Sequence, residues 1–309
     1  MRLSSFRLRG PPSIGHPARG LNVVAATASD GARAPARRRS RALPWGLYGL
    51  RATAVLYLGV LVLIPIAVIA RSGFADGIVA LGRALAHPFA RSALLLTLET
   101  AAVMAVINAV MGTLIAYVLV RYRFPGRKVL NVLIDLPFSI PTLVAGLMIV
   151  ALFGPEAPLG RALSGAGLQV LYAPPAIVLA LLFVTLPIVV RAVEPVLAEV
   201  DVAEEEAART LGASDVYTFR KVVLPAISPA IVTGTLLGFA RALGEFGSIV
   251  VVAGNLPRRS LTASVFVFGE VEAGETVSAS AMSLVLVGIS FFVLLAVSAY
   301  EKRKGVRRG

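Results

Sequence analysis

The sequence predicts an all-α integral membrane protein with six spanning helices, and three observations carry that prediction. Of 309 residues, 57% are hydrophobic and the mean hydropathy is +0.82, too apolar for an ordinary soluble domain. Long apolar runs recur at lengths that cross about 30 Å of hydrocarbon at a rise of about 1.5 Å per residue. The basic residues behind the formal charge of +13 flank those runs. They are not interleaved with surface aromatics as a nucleic-acid face requires, so no nucleic-acid partner is expected.

Taken in order, residues 1–45 form a basic segment with Ser, Pro and Gly, no acid before Asp30 and no apolar run long enough to insert. Two readings stay open, a disordered basic extension and a plastid transit peptide with a small-residue processing stretch over 23–28. A secretory signal is disfavoured, because no apolar core of about 7 to 15 residues follows the early arginines. The expected spans are 52–70, 93–120, 129–153, 174–193, 228–254 and 283–300. A first helix with its exterior loop (46–92) thus precedes the transport domain (93–300), which contains a polar loop at 194–227 and is followed by a basic tail (301–309). Twenty-three Lys and Arg lie in the arm, the tail and the alternate loops of one side, against six on the other. The positive-inside rule therefore places both termini and the 194–227 loop in the cytoplasm.

That loop is dense in local signals. Asp201 and Glu204 form an Asp-x-x-Glu capping pair, Glu205 and Glu206 add negative charge in the first helical turn, and Gly212 can take the left-handed conformation that ends the helix. Ser214 can cap a second helix with Asp215 in its first turn and Arg220 and Lys221 near its last. Leu224-Pro225 then turns the chain back into the membrane. The product is a knob of two short helices meeting at a corner.

The order Glu206-Ala207-Ala208-x3-Gly212-x9-Val222-x-Leu224-Pro225 resembles the EAA loop of ABC-importer permeases, with valine where isoleucine is usual. Arg121-Tyr122-Arg123-Phe124-Pro125-Gly126-Arg127, Asp135-Leu136-Pro137-Phe138 with Pro141-Thr142, and Arg241-Ala242-Leu243-Gly244-Glu245-Phe246-Gly247 running to Asn255 are similar to the T-type permeases of sulfate and thiosulfate importers, over roughly residues 50–300. The resemblance implies a type I ABC importer permease fold with a cytoplasmic coupling helix. It also implies a second, W-type permease as partner, a sulfate-binding protein that delivers sulfate, and an ABC ATPase dimer docked at Glu206, Ala207, Ala208, Gly212, Leu224 and Pro225. ATP and Mg are then used by the ATPase, with no cofactor in this chain. Consistent with that, no Gly-x4-Gly-Lys-Ser/Thr phosphate loop occurs. With no cysteine and only His16 and His87, neither a metal site nor a catalytic residue is expected, and the remaining partner is membrane lipid.

Arg241 falls thirteen residues into the fifth expected span, near or past its centre. An isolated arginine at a span's centre costs about 2.5–3.5 kcal/mol, so it must be paired or wet, and Glu245 at i+4 is the obvious partner. Two readings stay open: an ion pair that holds helices together, or one that lines the anion pathway at its gate. Gly244 and Gly247 are expected to admit a close helix neighbour. Asp135 is expected to pair with Arg121 or Arg123, Glu99 to face a partner helix or water, and Pro137 and Pro141 to bend the third span, with Ser139 and Thr142 helping to satisfy the released carbonyls. Asn108 supports no sharp role. Molybdate or tungstate import is the nearest alternative. An ion-coupled secondary transporter is the more distant one, disfavoured because neither inverted repeats nor broken helices are visible.

Overall fold

The computed structural model describes residues 44–304. Residues 1–43 and 305–309 lie outside the described residues, and with them both readings of the basic arm. Of the described residues, 44–55, the start of helix α1 (Pro44–Leu58), belong to one unit, and a second begins at Leu56. In chain order the remaining elements are a π segment (Gly59–Leu63), α2 (Ile64–Gly73), α3 (Gly77–Ala86), α4 (Pro88–Arg121), α5 (Arg127–Ser139), α6 (Thr142–Phe153), α7 (Pro158–Gly165), α8 (Pro174–Glu199), α9 (Val202–Thr210), α10 (Asp215–Thr218), a second π segment (Phe219–Val223), α11 (Leu224–Leu243), α12 (Gly247–Val252), α13 (Ala263–Glu272) and α14 (Thr276–Lys304). No strand occurs among the described residues.

Five helical stretches are long and apolar enough to span a membrane: Tyr48–Gly73, Pro88–Arg121, Pro174–Glu199, Asp215–Leu243 and Thr276–Arg303. The third expected span, 129–153, is broken. α5 and α6 meet at a bend of 113°, and the cause is local. Ile140 precedes a proline and is driven out of the helical region, to φ −87° and ψ 128°, and Pro141 follows at φ −54° and ψ 134° before α6 restarts. Pro137, by contrast, is accommodated inside α5. The broken pair also removes one sequence argument against secondary transport, that no interrupted helix was visible.

The fifth span departs further from expectation. Its helix starts at Asp215, passes through the second π segment and stops at Leu243, so 228–254 cuts off its beginning and merges its end with α12. The Leu224 N–H reaches back five residues to the Phe219 carbonyl. The hydrogen-bond ladder slips there, just before Pro225, which has no N–H to place. The turn back into the membrane expected at Leu224-Pro225 is therefore a continuous helix.

α4, α8 and α11 form the centre. At the end nearest α9 the core is Ala116 and Leu119 of α4, Val189, Val190, Val193 and Leu197 of α8, with Val223 and Ile227. Toward the other end it is Ala101, Met104, Ile177, Leu181, Leu243 and Ile249. Small residues dominate α4's buried stripe because association between apolar helices in lipid depends on close backbone approach. Between the two clusters buried Asn108 donates to Thr185 Oγ1 at 2.8 Å, joining α4 to α8, and Thr185 donates to the Leu181 carbonyl at 2.7 Å. α12 lies against α6 at two glycines. A Cβ on Gly146 would stand 2.6 Å from the Ser248 carbonyl oxygen, and one on Gly247 would stand 2.3 Å from Thr142 Oγ1. Gly247 thus meets the close-approach expectation, whereas a Cβ on Gly244 would have nothing within 4 Å.

Candidate functional site

The elbow between α8 and α11 is built by its caps. Asp201 Oδ1 accepts the Ala203 N–H at 2.9 Å at the start of α9. Glu204 returns no side-chain bond, so only half of the expected capping pair forms. At the other end Gly212 sits at φ +85°, its N–H reaches the Arg209 carbonyl at 2.9 Å, and the Ala213 N–H reaches the Ala208 carbonyl at 3.1 Å. These two bonds and the left-handed glycine are a Schellman stop. Ser214 Oγ then accepts the Tyr217 N–H at 3.3 Å to begin α10.

The residues singled out in the sequence are unequally placed. Glu206, Ala207, Gly212 and Pro225 are exposed, while Ala208 and Leu224 are half-buried. The same elbow carries exposed apolar side chains, including Leu211 at 89%, Val216 and Tyr217. The buried acid of α9 is Glu205, not Glu206. Its Oε1 lies 2.7 Å from Arg121 Nη2, and the same nitrogen donates to the Val200 carbonyl at 3.1 Å. Arg209 stands 4.0 Å from the other Glu205 oxygen and 3.0 Å from Asp215 Oδ1. Sequence reasoning placed Glu205 among the first-turn charges, because its partner lies on α4 and only tertiary structure brings the two together.

Asp135 is paired, but not with Arg121 or Arg123. Arg191 of α8 grips it with two bonds, Nε to Oδ1 at 2.8 Å and Nη2 to Oδ2 at 2.6 Å, and also bonds Asn131 Oδ1 at 3.0 Å and Glu194. A bidentate guanidinium of this kind fixes α5 to α8. Glu99 is exposed on α4.

Arg241 and Glu245 do meet, Nη1 to Oε2 at 2.9 Å, but not in mid-helix. Arg241 lies in the last turn of α11, and Glu245 lies in the gap before α12. Glu245 is buried, and its Oε1 accepts both the Ser248 N–H at 3.0 Å and the Ser248 hydroxyl at 2.9 Å. Its carbonyl accepts from Ser264 at 2.6 Å. The carboxylate therefore caps α12 and holds the interruption together. The Arg241 side chain, in contrast, is 43% exposed. Leu224 and Arg241 stand at opposite ends of α11, roughly 26 Å apart along its axis. Among the described residues no three His, Asp or Glu side chains converge on a point that would hold a metal ion.

Residues 108–306 match the family described as the binding-protein-dependent transport system inner membrane component. A relative from the green alga Chlorella vulgaris, called a probable sulfate transport system permease protein cysT, is 42% identical over 222 residues, 72% of this chain and 84% of that one. The sulfate transport system permease protein CysT of Salmonella typhimurium is 41% identical over 221 residues, 72% and 80% of the two chains. Among solved structures, a bacterial alginate ABC transporter in complex with its pentasaccharide-bound periplasmic protein aligns with a TM-score of 0.71 at 15% identity, over 86% of this chain and 96% of that one, which shows a shared fold. With more than half its length inside that family match and such relatives along most of both chains, this multi-pass membrane protein belongs to the binding-protein-dependent transport system inner membrane component family.

Proposed function

We propose that the chain is the translocating permease subunit of an ATP-driven sulfate importer and is not itself an enzyme. The observation that carries this reading is the alignment, along most of both chains, with permeases named for sulfate transport in an alga and a bacterium. Those names favour sulfate over molybdate or tungstate. A separate ATPase dimer grips the elbow at Glu206, Ala207, Ala208 and Gly212, and Leu224 and Pro225 carry its movement into α11. Glu206 supports this reading, since it is exposed and its carboxylate has no partner within the described residues. ATP and Mg stay with that ATPase, a second permease completes the pathway, and a soluble binding protein delivers the anion. Both termini and the elbow face the cytoplasm, where the basic residues collect.

A sulfate dianion cannot cross hydrocarbon bare, yet a site that binds it too tightly stalls release. Arg241 suits that balance. It is half-exposed, and Glu245 offsets part of its charge while remaining committed to α12. The broken helices do not by themselves favour an ion-coupled transporter, because the elbow has no task in one.

The test is uptake of radiolabelled sulfate in cells that lack their own sulfate permease and express this chain with its partner subunits. Uptake that requires ATP hydrolysis, and is displaced by sulfate and thiosulfate before molybdate, is expected. Uptake that persists without an ATPase subunit, or prefers molybdate, overturns the reading.

A further inference from the structure

We infer that the Arg121–Glu205 ion pair is a pin through which the elbow moves α4, a second route from the motor to the membrane bundle beside the covalent one into α11. The inference rests on the importer reading above.

The covalent route passes through the second π segment, where the hydrogen-bond ladder slips by one residue while the helix runs on from α10 into α11. α9 has no such continuity with the bundle. Its one buried residue is Glu205, a charged side chain in a helix whose other faces are largely open. That carboxylate is 3% exposed and meets the last residue of α4, whose guanidinium side chain is 12% exposed.

Burying such a pair is a poor way to gain stability, since apolar residues of similar volume often do as well. Its best-attested use is to fix register. The geometry here suits that use. Arg121 holds the Val200 carbonyl at the end of α8 with the same nitrogen that holds Glu205. One turn earlier on α4, the Tyr117 ring meets Phe219 of the π segment edge-on, with centroids 5.3 Å apart. Arg209 bridges onward from Glu205 to Asp215 of α10. The last turn of α4 thus holds the end of α8, α9 and the π segment at once. Displacement of the elbow carries α4 with it while the pair is intact.

The experiment uses the complete importer in proteoliposomes, with ATP hydrolysis and sulfate uptake measured on the same preparation. Glu205→Gln keeps shape and removes charge; Arg121→Met keeps the apolar stem. In both, hydrolysis stays near the wild-type rate, and sulfate moved per ATP falls by about tenfold, within the usual range of coupling between sites. The swapped pair R121E/E205R moves more sulfate per ATP than either R121E or E205R alone. A proportional fall of uptake and hydrolysis, an unchanged ratio, or a swap no better than its single variants overturns the pin.

Because the chain has no cysteine, labels at Arg123→Cys and Glu204→Cys give a readout independent of substrate. Their separation stays constant through the ATP cycle in the wild type and varies once Glu205→Gln is added. A separation that already changes in the wild type overturns the pin, whatever the transported anion. A wild-type complex that moves no sulfate while this separation holds constant instead sinks the sulfate assignment and leaves the pin standing.

Discussion

Two glutamates in this protein are each 2% exposed and each paired with an arginine, one in the elbow and one at the interruption of α11, yet the two pairs are built oppositely. Glu205 reaches across to the end of a distant helix, and its arginine is sealed at 12% exposure. Glu245 takes its arginine from the preceding turn of its own chain, and that arginine is 43% exposed. Glu245 also has Ser248 to satisfy one oxygen, so it is stable as a cap without Arg241. Glu205 has no hydrogen-bonding cap of that kind, and besides Arg121 it has Arg209 at 4.0 Å from its other oxygen. A sealed pair between separate elements can transmit position, and a half-open pair with a spare donor can meet an anion.

The comparison breaks or sharpens under substitution. The largest effect is expected of Glu205→Ala, which strands a buried guanidinium. Removing one partner of a buried pair costs about 3–5 kcal/mol, enough to lower the melting temperature of the purified complex by many degrees. A melting curve like the wild type's would show the elbow pair to be no more structural than the other.

Next is Gly146→Ala. Its Cβ would fall 2.6 Å from the Ser248 backbone oxygen and push away the residue that Glu245 caps. Overpacking of this kind costs about 1–3 kcal/mol, and uptake is expected to fall with stability. Unchanged uptake would detach the α6–α12 contact from the pathway.

Arg241→Ala comes third for stability, because Ser248 still satisfies one oxygen of the buried Glu245, but sulfate uptake is expected to fall by more than its stability while the ATPase still copurifies. Normal uptake would reduce Arg241 to scaffolding and erase the functional half of the contrast. Glu206→Ala is smallest in stability, within about 0.5 kcal/mol for an exposed side chain, yet copurification of the ATPase is expected to weaken. Retention of the full complement of ATPase would move the docking surface elsewhere on the elbow.

Much of this was legible in the sequence, for physical reasons that can be named. Hydrophobic length found the spans, and the caps at Asp201, Gly212 and Ser214 were readable because capping is local chemistry. What was missed depends on partners far along the chain or on a choice local rules leave open. A proline such as Pro141 permits either a kink or a complete break, and the extended backbone at Ile140 and Pro141 makes it a break. Pro225 reads as a helix start, yet a π register lets the helix run past it. Asp135 finds Arg191, and Glu205 finds Arg121, across helices whose juxtaposition no spacing rule supplies. The EAA-like pattern points at Glu206, which is exposed, and gives no sign that its neighbour holds the elbow in place.

The most direct measurement is ATP-dependent accumulation of radiolabelled sulfate in proteoliposomes that contain this chain, its partner permease, the ATPase and the binding protein, with and without Gly212→Val. A β-branched residue at φ +85° is strained, so the α9 stop, and with it the elbow, is expected to be lost. Accumulation in the wild type that collapses in the variant is the predicted result. Equal accumulation in both, or accumulation without ATP, would contradict the claim that the elbow drives transport.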